Sequence, residues 1–241
     1  MKQNENEIES EINTQNDNTI DRRIKSYALR GKVSQAHKQA YADHWAQYGC
    51  EVENGLVDYQ ARFGRDNVKV LEIGFGMGKS LCQMVQEYPD QDFIGVEVHA
   101  PGVGRILMDI SEAGCKNFIV FKYDAIDVLA NCIADNSLDR VQLFFPDPWH
   151  KARHHKRRIV QQGFIDSIAA KLKPGGIFHM ATDWENYAEH MMLEMNQNAH
   201  FENAAGQDQY SEQPKYRPTT KFEVRGQNLG HGVWDLLFKK K

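Results

Sequence analysis

Hydrophobic residues recur along the chain in short strand-like runs that alternate with helix-like segments. Apolar positions between Leu81 and Tyr88 repeat at i, i+3, i+4 and i+7, the spacing of a helix that buries one face. A β-branched run such as 68–73 instead predicts a buried strand. The pattern predicts strands at 68–73, 92–98, 117–123, 138–145, 177–182 and 233–239. It predicts a helix that starts near Gln39 and further helices at 81–88, 101–113, 126–132, 165–172 and 184–197.

The strict alternation of strands and helices predicts an α/β fold. Such chains form a mostly parallel, doubly wound sheet with helices on both faces. Ligands bind such sheets outside the carboxyl ends of the strands. A carboxylate stands near the end of each of five predicted strands: Glu72, Glu97, Asp124, Asp147 and Asp183. The sequence therefore predicts one ligand site, lined by acids, at this edge.

A glycine-rich loop follows the first of these strands directly. Gly74, Gly76 and Gly78 predict a backbone that approaches a nucleoside ligand closely. An NAD-dependent oxidoreductase remains open, because such enzymes place an acid on a ribose after the second strand, here Glu97. The G-x-G-x-G spacing and Glu72, which would repel a pyrophosphate, favour S-adenosylmethionine. That cofactor carries a cationic sulfonium and ammonium and no phosphate, so an acidic lining suits it.

The composition indicates a globular protein with one large domain. The chain has 241 residues, of which 41% are hydrophobic and 26% charged. We predict a disordered acidic tail at 1–21, a basic arm at 22–38 and a single domain at 39–241. The four cysteines form no C-x-x-C pair, which predicts free thiols, and the histidine spacing predicts no metal site. An acidic amino terminus and the lack of a long apolar run predict a cytoplasmic protein with no membrane partner.

The net charge of −4 argues at first against a nucleic-acid partner. However, residues 1–21 hold six acidic residues and one basic residue, so the rest of the chain is close to neutral. Cations concentrate at 22–38 and at 151–158, two segments without any acid. The second segment follows Asp147, whose flanking prolines favour extended backbone, and Trp149, which offers a face for a stacked base. We therefore predict a phosphate-binding loop beside the ligand site.

Several long motifs resemble those of one known family. The chain is similar, from about Arg22 to near its last residue, to the bacterial tRNA (guanine-N7-)-methyltransferases, often called TrmB. The motifs are LEIGFGMGKSL (71–81), IGVEVHAPGVG (94–104), VQLFFPDPWHKARHHKRR (141–158), FHMATDWENYAEHM (178–191), RPTTKFEVRG (217–226) and LGHGVWDL (229–236). The resemblance implies a class I S-adenosylmethionine-dependent methyltransferase fold. It also implies methyl transfer to N7 of guanosine 46 in the tRNA variable loop.

The resemblance also implies a role for individual residues. Asp147 is the implied active-site residue. The implied cofactor-binding residues are Glu72, Gly74, Gly76, Gly78, Glu97, Asp124 and Asp147. The implied substrate contacts are Lys151, Asp183, Thr220, Lys221, Phe222 and Glu223, and the implied RNA contacts are Arg153, His154, His155, Lys156, Arg157 and Arg158.

Other interpretations remain open beside this one. A non-catalytic RNA-binding protein with a degenerate core is disfavoured by the acids at all five strand ends. A small-molecule methyltransferase would leave the basic residues 151–158 without a purpose. The partner implied is tRNA, no metal is expected, and we predict a monomer while a homodimer stays open.

Overall fold

The computed structural model describes residues 34–220, 223 and 232–241. The predicted acidic tail, residues 22–33 of the predicted basic arm, Lys221 and Phe222 lie outside the described residues. The first described helix begins at Gln35, where the Ser34 hydroxyl caps it by accepting from the His37 amide at 3.1 Å. The prediction of a start near Gln39 was therefore wrong, and the end of the predicted arm is helical.

Eight strands of the described residues form one sheet. The strands are β1 (Gly49–Cys50), β2 (Val68–Ile73), β3 (Gln91–Val96), β4 (Phe118–Phe121), β5 (Leu138–Phe144), β6 (Leu172–Thr182), β7 (Phe201–Asn203) and β8 (Trp234–Lys240). Their order across the sheet is β1-β4-β3-β2-β5-β6-β8-β7. Strands β1 to β6 pair in parallel, whereas β8 runs antiparallel to β6 and β7. This confirms the predicted mostly parallel sheet.

Helices cover both faces of the sheet, as predicted. They are α1 (Gln35–Tyr48), α2 (Tyr59–Phe63), α3 (Lys79–Glu87), α4 (Ala100–Glu112), α5 (Ala125–Asn131), α6 (Gln162–Lys171) and α7 (Glu185–Gln197). One apolar core joins α5, α6 and α7 to the sheet through Leu129, Phe164 and Tyr187. A second core joins α1, α3 and α4 to the opposite face, with Met84 and Ile106 fully buried. The two cores hold the strand ends at a common edge.

The structure differs from the sequence prediction mainly at short elements. Strand β6 starts at Leu172, so the segment 173–176, expected as a break before the strand, belongs to it. The short strands β1 and β7 and the five-residue α2 were missed, because so few residues carry no periodicity. The four cysteines are free thiols, as predicted. Of the described helices, none has the length and apolar character needed to cross a membrane.

Candidate active site

The carboxyl ends of the central strands meet at one edge of the sheet, where backbone hydrogen bonds join them. The Gly74 amide, just after β2, donates to the Val96 carbonyl at the end of β3 at 2.8 Å. The Phe145 amide, just after β5, donates to the Ala181 carbonyl of β6, also at 2.8 Å. Beyond the same two strands, the rings of His150 and Trp184 meet edge-on, with their centroids 4.2 Å apart. The residues predicted from five strand ends therefore occupy one continuous edge.

The glycine loop after β2 needs glycine for its backbone shape. Gly74, Gly76 and Gly78 have φ of +72°, +58° and +74°, in the left-handed region that glycine adopts without steric cost. An added Cβ at Gly74 or Gly76 would meet no described atom within 4 Å. The loop therefore leaves space beside its backbone for a ligand.

Gly102, at the start of α4, packs against the glycine loop, although it was not among the predicted site residues. A Cβ at Gly102 would lie 1.9 Å from the Gly76 carbonyl oxygen. The helix can approach the glycine loop this closely only because residue 102 has no side chain. The G-V-G run at 102–104 indicated that another part of the chain packs closely there. It did not indicate that this part is the glycine loop.

Glu97, after β3, joins two strand ends through its carboxylate. One oxygen accepts from the Gly76 amide at 2.8 Å, and the other accepts from the amides of Val98 and His99 at 2.7 and 2.9 Å. Three backbone donors therefore fix the buried carboxylate against the glycine loop. Glu97 therefore shapes the glycine loop, which is a different role from the ligand contact that was predicted for it.

Glu72, on β2, places a carboxylate in the interior beneath the glycine loop. Its side chain is 3% exposed, and its Oε2 has no hydrogen-bond partner among the described residues. Burial raises the pKa of Glu72 to about 8, partly offset by the nearby Arg140 guanidinium. A buried acid of this kind is suited to receive a cationic ligand.

This raised pKa predicts how stability depends on pH. An unfolded glutamate titrates near ~4.3, so between ~4.3 and about 8 only the folded state keeps the proton. The contribution of Glu72 to stability is therefore greatest below this window and falls as pH rises, by at most about 1.4 kcal/mol per pH unit. Without ligand, we expect the melting temperature to decline from pH 5 to 8, and Glu72→Gln to flatten the decline in calorimetry. Glu87→Gln, at an exposed glutamate of α3, is the control, and equal slopes for all three proteins would contradict the assignment.

The loop after β5 is backbone-strained around Asp147. Phe145 and Trp149 both have left-handed φ, +51° and +50°, which costs non-glycine residues of order 1–3 kcal/mol each. Pro146 and Pro148 flank the exposed Asp147, whose Oδ1 accepts from the Trp149 amide at 3.1 Å. Strain of this kind persists where the surrounding structure enforces it, and here it presents the carboxylate at the sheet edge.

Trp149 contacts the basic segment directly. The Arg157 guanidinium lies over its ring at 4.9 Å, and the His154 ring meets it edge-on at 5.9 Å. A base that stacks on Trp149 must therefore use the opposite face or displace Arg157. Burial, and then the neighbouring cations led by Arg157, lower the pKa of His154, which makes it a poor source of positive charge at neutral pH.

The basic segment forms a 3-10 helix at Ala152–Arg157, directly after the Asp147 loop. Lys151, Arg153 and Lys156 are exposed, and Arg157 is half-buried. Four cationic side chains thus line one rim of the site, on an element too short for a sequence pattern to predict.

Arg158 corrects the predicted set of RNA contacts. Its side chain is 1% exposed, donates to the Pro148 carbonyl at 3.0 Å and to Asn186 Oδ1 at 2.8 Å, and lies over the Tyr187 ring. These contacts tie the Asp147 loop to α7. We therefore remove Arg158 from the candidate RNA surface.

Four further predicted site residues belong to the described part of the chain: Asp124, Asp183, Thr220 and Glu223. Asp124 caps α5 by accepting from the Ile126 amide at 2.9 Å. Asp183 follows β6 and is partly exposed. Thr220 and Glu223 hydrogen-bond each other, and Glu223 is fully buried. Among the described residues, no cluster of His, Cys, Asp or Glu is arranged to hold a metal ion.

Comparison with known sequences finds a consistent set of relatives. A family model described as a putative methyltransferase matches residues 66–236. The tRNA (guanine-N(7)-)-methyltransferase of Alcanivorax borkumensis is 54% identical over 221 residues, covering 91% of this chain and 92% of the relative. The protein of the same name from Marinobacter nauticus is 52% identical and covers 95% of this chain and 97% of the relative.

Solved structures share the fold at much lower sequence identity. The 16S rRNA methyltransferase KamB superposes with a TM-score of 0.57 at 14% identity, covering 77% of this chain and 94% of that one. The aminoglycoside resistance methyltransferase NpmB1 gives a TM-score of 0.53 at 16% identity with the same coverage. These likenesses confirm the class I methyltransferase fold.

Proposed function

Because the chain belongs to the tRNA (guanine-N(7)-)-methyltransferase family, we propose that it methylates N7 of a guanine in tRNA. We further propose guanosine 46 of the variable loop as the target, as the family resemblance implies. One observation carries the proposal: the acid-lined edge of the sheet is continuous with a cationic rim, because the Asp147 loop runs directly into the 3-10 helix.

The acid-lined edge fits S-adenosylmethionine as the methyl donor. Glu72 offers a buried oxygen without a partner among the described residues, and Gly74 and Gly76 leave open space beside the backbone. We propose Glu72, Glu97, Asp124 and the glycine loop, with Asp147, as the residues that hold this cofactor. When bound, S-adenosylmethionine supplies an electrophilic methyl group on a positively charged sulfur.

The chemistry asks the protein to orient the base. Guanine N7 carries a free lone pair and no hydrogen, so it needs no general base before it attacks the methyl carbon. Positive charge appears on the purine ring as the bond forms, and a carboxylate placed beside the ring stabilises that charge. We propose that Asp147 accepts hydrogen bonds from guanine N1–H and the 2-amino group, with Asp183 sharing this task.

The cationic rim is proposed to bind the tRNA backbone. Lys151, Arg153, Lys156 and Arg157 can neutralise about four phosphates, for which the expected log–log salt slope is roughly −2.8 to −3.6. A target guanine that is stacked in folded tRNA must leave its stack to reach Asp147. We propose that the exposed Asp147 and the half-buried Trp149 beside it receive this base.

Mapping the modified nucleotide tests the proposal directly. Unmodified tRNA is incubated with the protein and S-adenosylmethionine, digested and analysed by mass spectrometry. We expect one N7-methylguanosine, at position 46. Methylation elsewhere would refute the proposed position, whereas tRNA binding with no methyl transfer would favour the non-catalytic RNA-binding alternative. A thermal shift with a nicotinamide cofactor but none with S-adenosylmethionine would favour an oxidoreductase.

A further inference from the structure

A buried cluster of charges lies beside the site, centred on Arg217. Its side chain is 2% exposed. Nε and Nη2 each donate to one oxygen of Asp235 at 2.7 Å, and Nη1 lies 2.7 Å from Glu223 Oε1. One guanidinium is therefore held between two carboxylates, both withdrawn from water.

The cluster is anchored in the sheet. Asp235 lies on β8 and also contacts His179 Nε2 on β6 at 2.7 Å. The other ring nitrogen of His179 is 2.9 Å from the Tyr216 hydroxyl, and the Arg140 guanidinium of β5 covers the Tyr216 ring at 3.9 Å. Three adjacent strands thus fix the position of the Arg217 fork.

On one side, Arg217 is ion-paired with Glu223, which is hydrogen-bonded to Thr220. Glu223 Oε2 accepts from the Thr220 amide at 2.6 Å, and Thr220 Oγ1 accepts from the Glu223 amide at 3.1 Å. This reciprocal pair is a capping box. Glu223 Oε2 is therefore hydrogen-bonded to Thr220, and Oε1 is ion-paired with Arg217. Glu223 can shape the substrate segment but has little surface with which to touch a substrate.

On the other side, Arg217 contacts the base of the Asp147 loop. Its guanidinium lies 5.9 Å from the Phe144 ring centroid and 5.7 Å from that of Phe145. Phe145 carries the left-handed φ that begins the strained loop, two residues before Asp147. The same guanidinium therefore lies between Glu223, a substrate contact implied by the resemblance, and the loop that carries Asp147.

We propose that Arg217 is a positioning residue for methyl transfer. It sets the separation between Glu223, which is hydrogen-bonded to Thr220, and the Asp147 loop, so that a guanine is held at one orientation. Buried ion pairs are a weak source of stability, since apolar side chains of similar volume often serve as well. The value of this cluster lies in its directional contacts, because misplacing reacting groups by about 1 Å can cost ~10²-fold in rate. The inference rests on the proposed function.

The test compares two arginines that each donate to a buried aspartate through both Nε and Nη2. Arg217→Lys keeps the charge but loses the fork, and we expect a fall of about 10²-fold in the single-turnover rate at saturating tRNA and cofactor. We expect the dissociation constants of both ligands to change less than threefold. The control is Arg65→Lys, since Arg65 Nε and Nη2 both donate to Oδ1 of the buried Asp92, at 2.8 and 2.6 Å, near the amino end of β3. This control variant should have a lower melting temperature and an unchanged single-turnover rate.

A second variant keeps the proposal testable if Arg217→Lys does not fold. Glu223→Gln keeps the volume of the side chain, and we expect it to lower the same single-turnover rate. The double variant of Arg217→Lys and Glu223→Gln should be no slower than the slower of the two single variants. Additive losses of rate in the double variant would overturn the positioning role. So would a loss of rate in Arg217→Lys equal to that in Arg65→Lys when the two variants have the same melting temperature. Wild-type methylation of tRNA is measured in the same assay, and its absence would instead count against the proposed function.

Discussion

Asp147→Asn is expected to lower the single-turnover rate of methyl transfer to tRNA by about 10²–10³-fold. This is the range lost when one preorganised group that stabilises transition-state charge is removed. Asparagine keeps the shape and can still accept from the Trp149 amide, a bond that Oδ1 of Asp147 now makes at 3.1 Å. The strained loop should therefore survive, and the loss should fall on chemistry. Rapid-quench measurement with labelled S-adenosylmethionine at saturating tRNA gives the rate.

The control for this variant is Asp90→Asn, an exposed carboxylate between α3 and β3 at the opposite edge of the sheet. We expect its rate to equal that of the unchanged protein. If Asp147 orients the base, an added small base should not rescue Asp147→Asn. Rescue of Asp147→Asn by such a base would contradict the orienting role.

The second large effect is expected on tRNA binding. Replacing Arg153, Lys156 and Arg157 together with alanine should weaken tRNA binding by ~10²-fold and flatten the log–log salt slope by roughly 2 to 3 units. These side chains lie on the 3-10 helix at the rim, whereas the residues proposed to hold the cofactor lie at the strand ends. The affinity for S-adenosylmethionine should therefore stay unchanged. Titrations of fluorescent tRNA over a range of salt concentrations measure the affinity for tRNA and the salt slope.

The comparison for the triple variant is Lys116→Ala, which removes an exposed cation before β4, away from the carboxyl ends of the strands. We expect its salt slope to change by less than one unit. An equal loss of cofactor affinity in the triple variant would indicate misfolding. An unchanged salt slope would show that the tRNA backbone binds elsewhere.

The regular part of the fold could be predicted because its elements are long enough to show a period. Strand β2 was predicted with its observed bounds, and α3 to within two residues, since buried positions repeat over several residues. The short elements β1, β7 and α2 were missed for the opposite reason. Their place is decided by the strands and helices that they pack against, which no local pattern reports.

The position of the candidate site in the fold could be predicted from the sequence. The burial and the contacts of its individual side chains could be predicted less well. Topology alone brings the five strand ends to one edge, so Glu97 and Asp147 could be assigned to a common site. The interior position of Arg158 could not be foreseen, because a run of cations looks alike whether a member faces water or a backbone carbonyl. The cluster around Arg217 was likewise invisible, since Asp235 and His179 are distant from it along the chain.

Strand β8 is the last described strand along the chain, yet it lies inside the sheet. Synthesis proceeds from the amino terminus at about 5–20 residues per second. During that time β6 keeps an open edge, and β7, whose described sheet neighbour is β8, has no place to pair. Strand β8 also brings Asp235, the anchor of Arg217. A nascent chain can therefore pair β1 to β6 first, whereas the proposed positioning by Arg217 requires that β8 has also been synthesised.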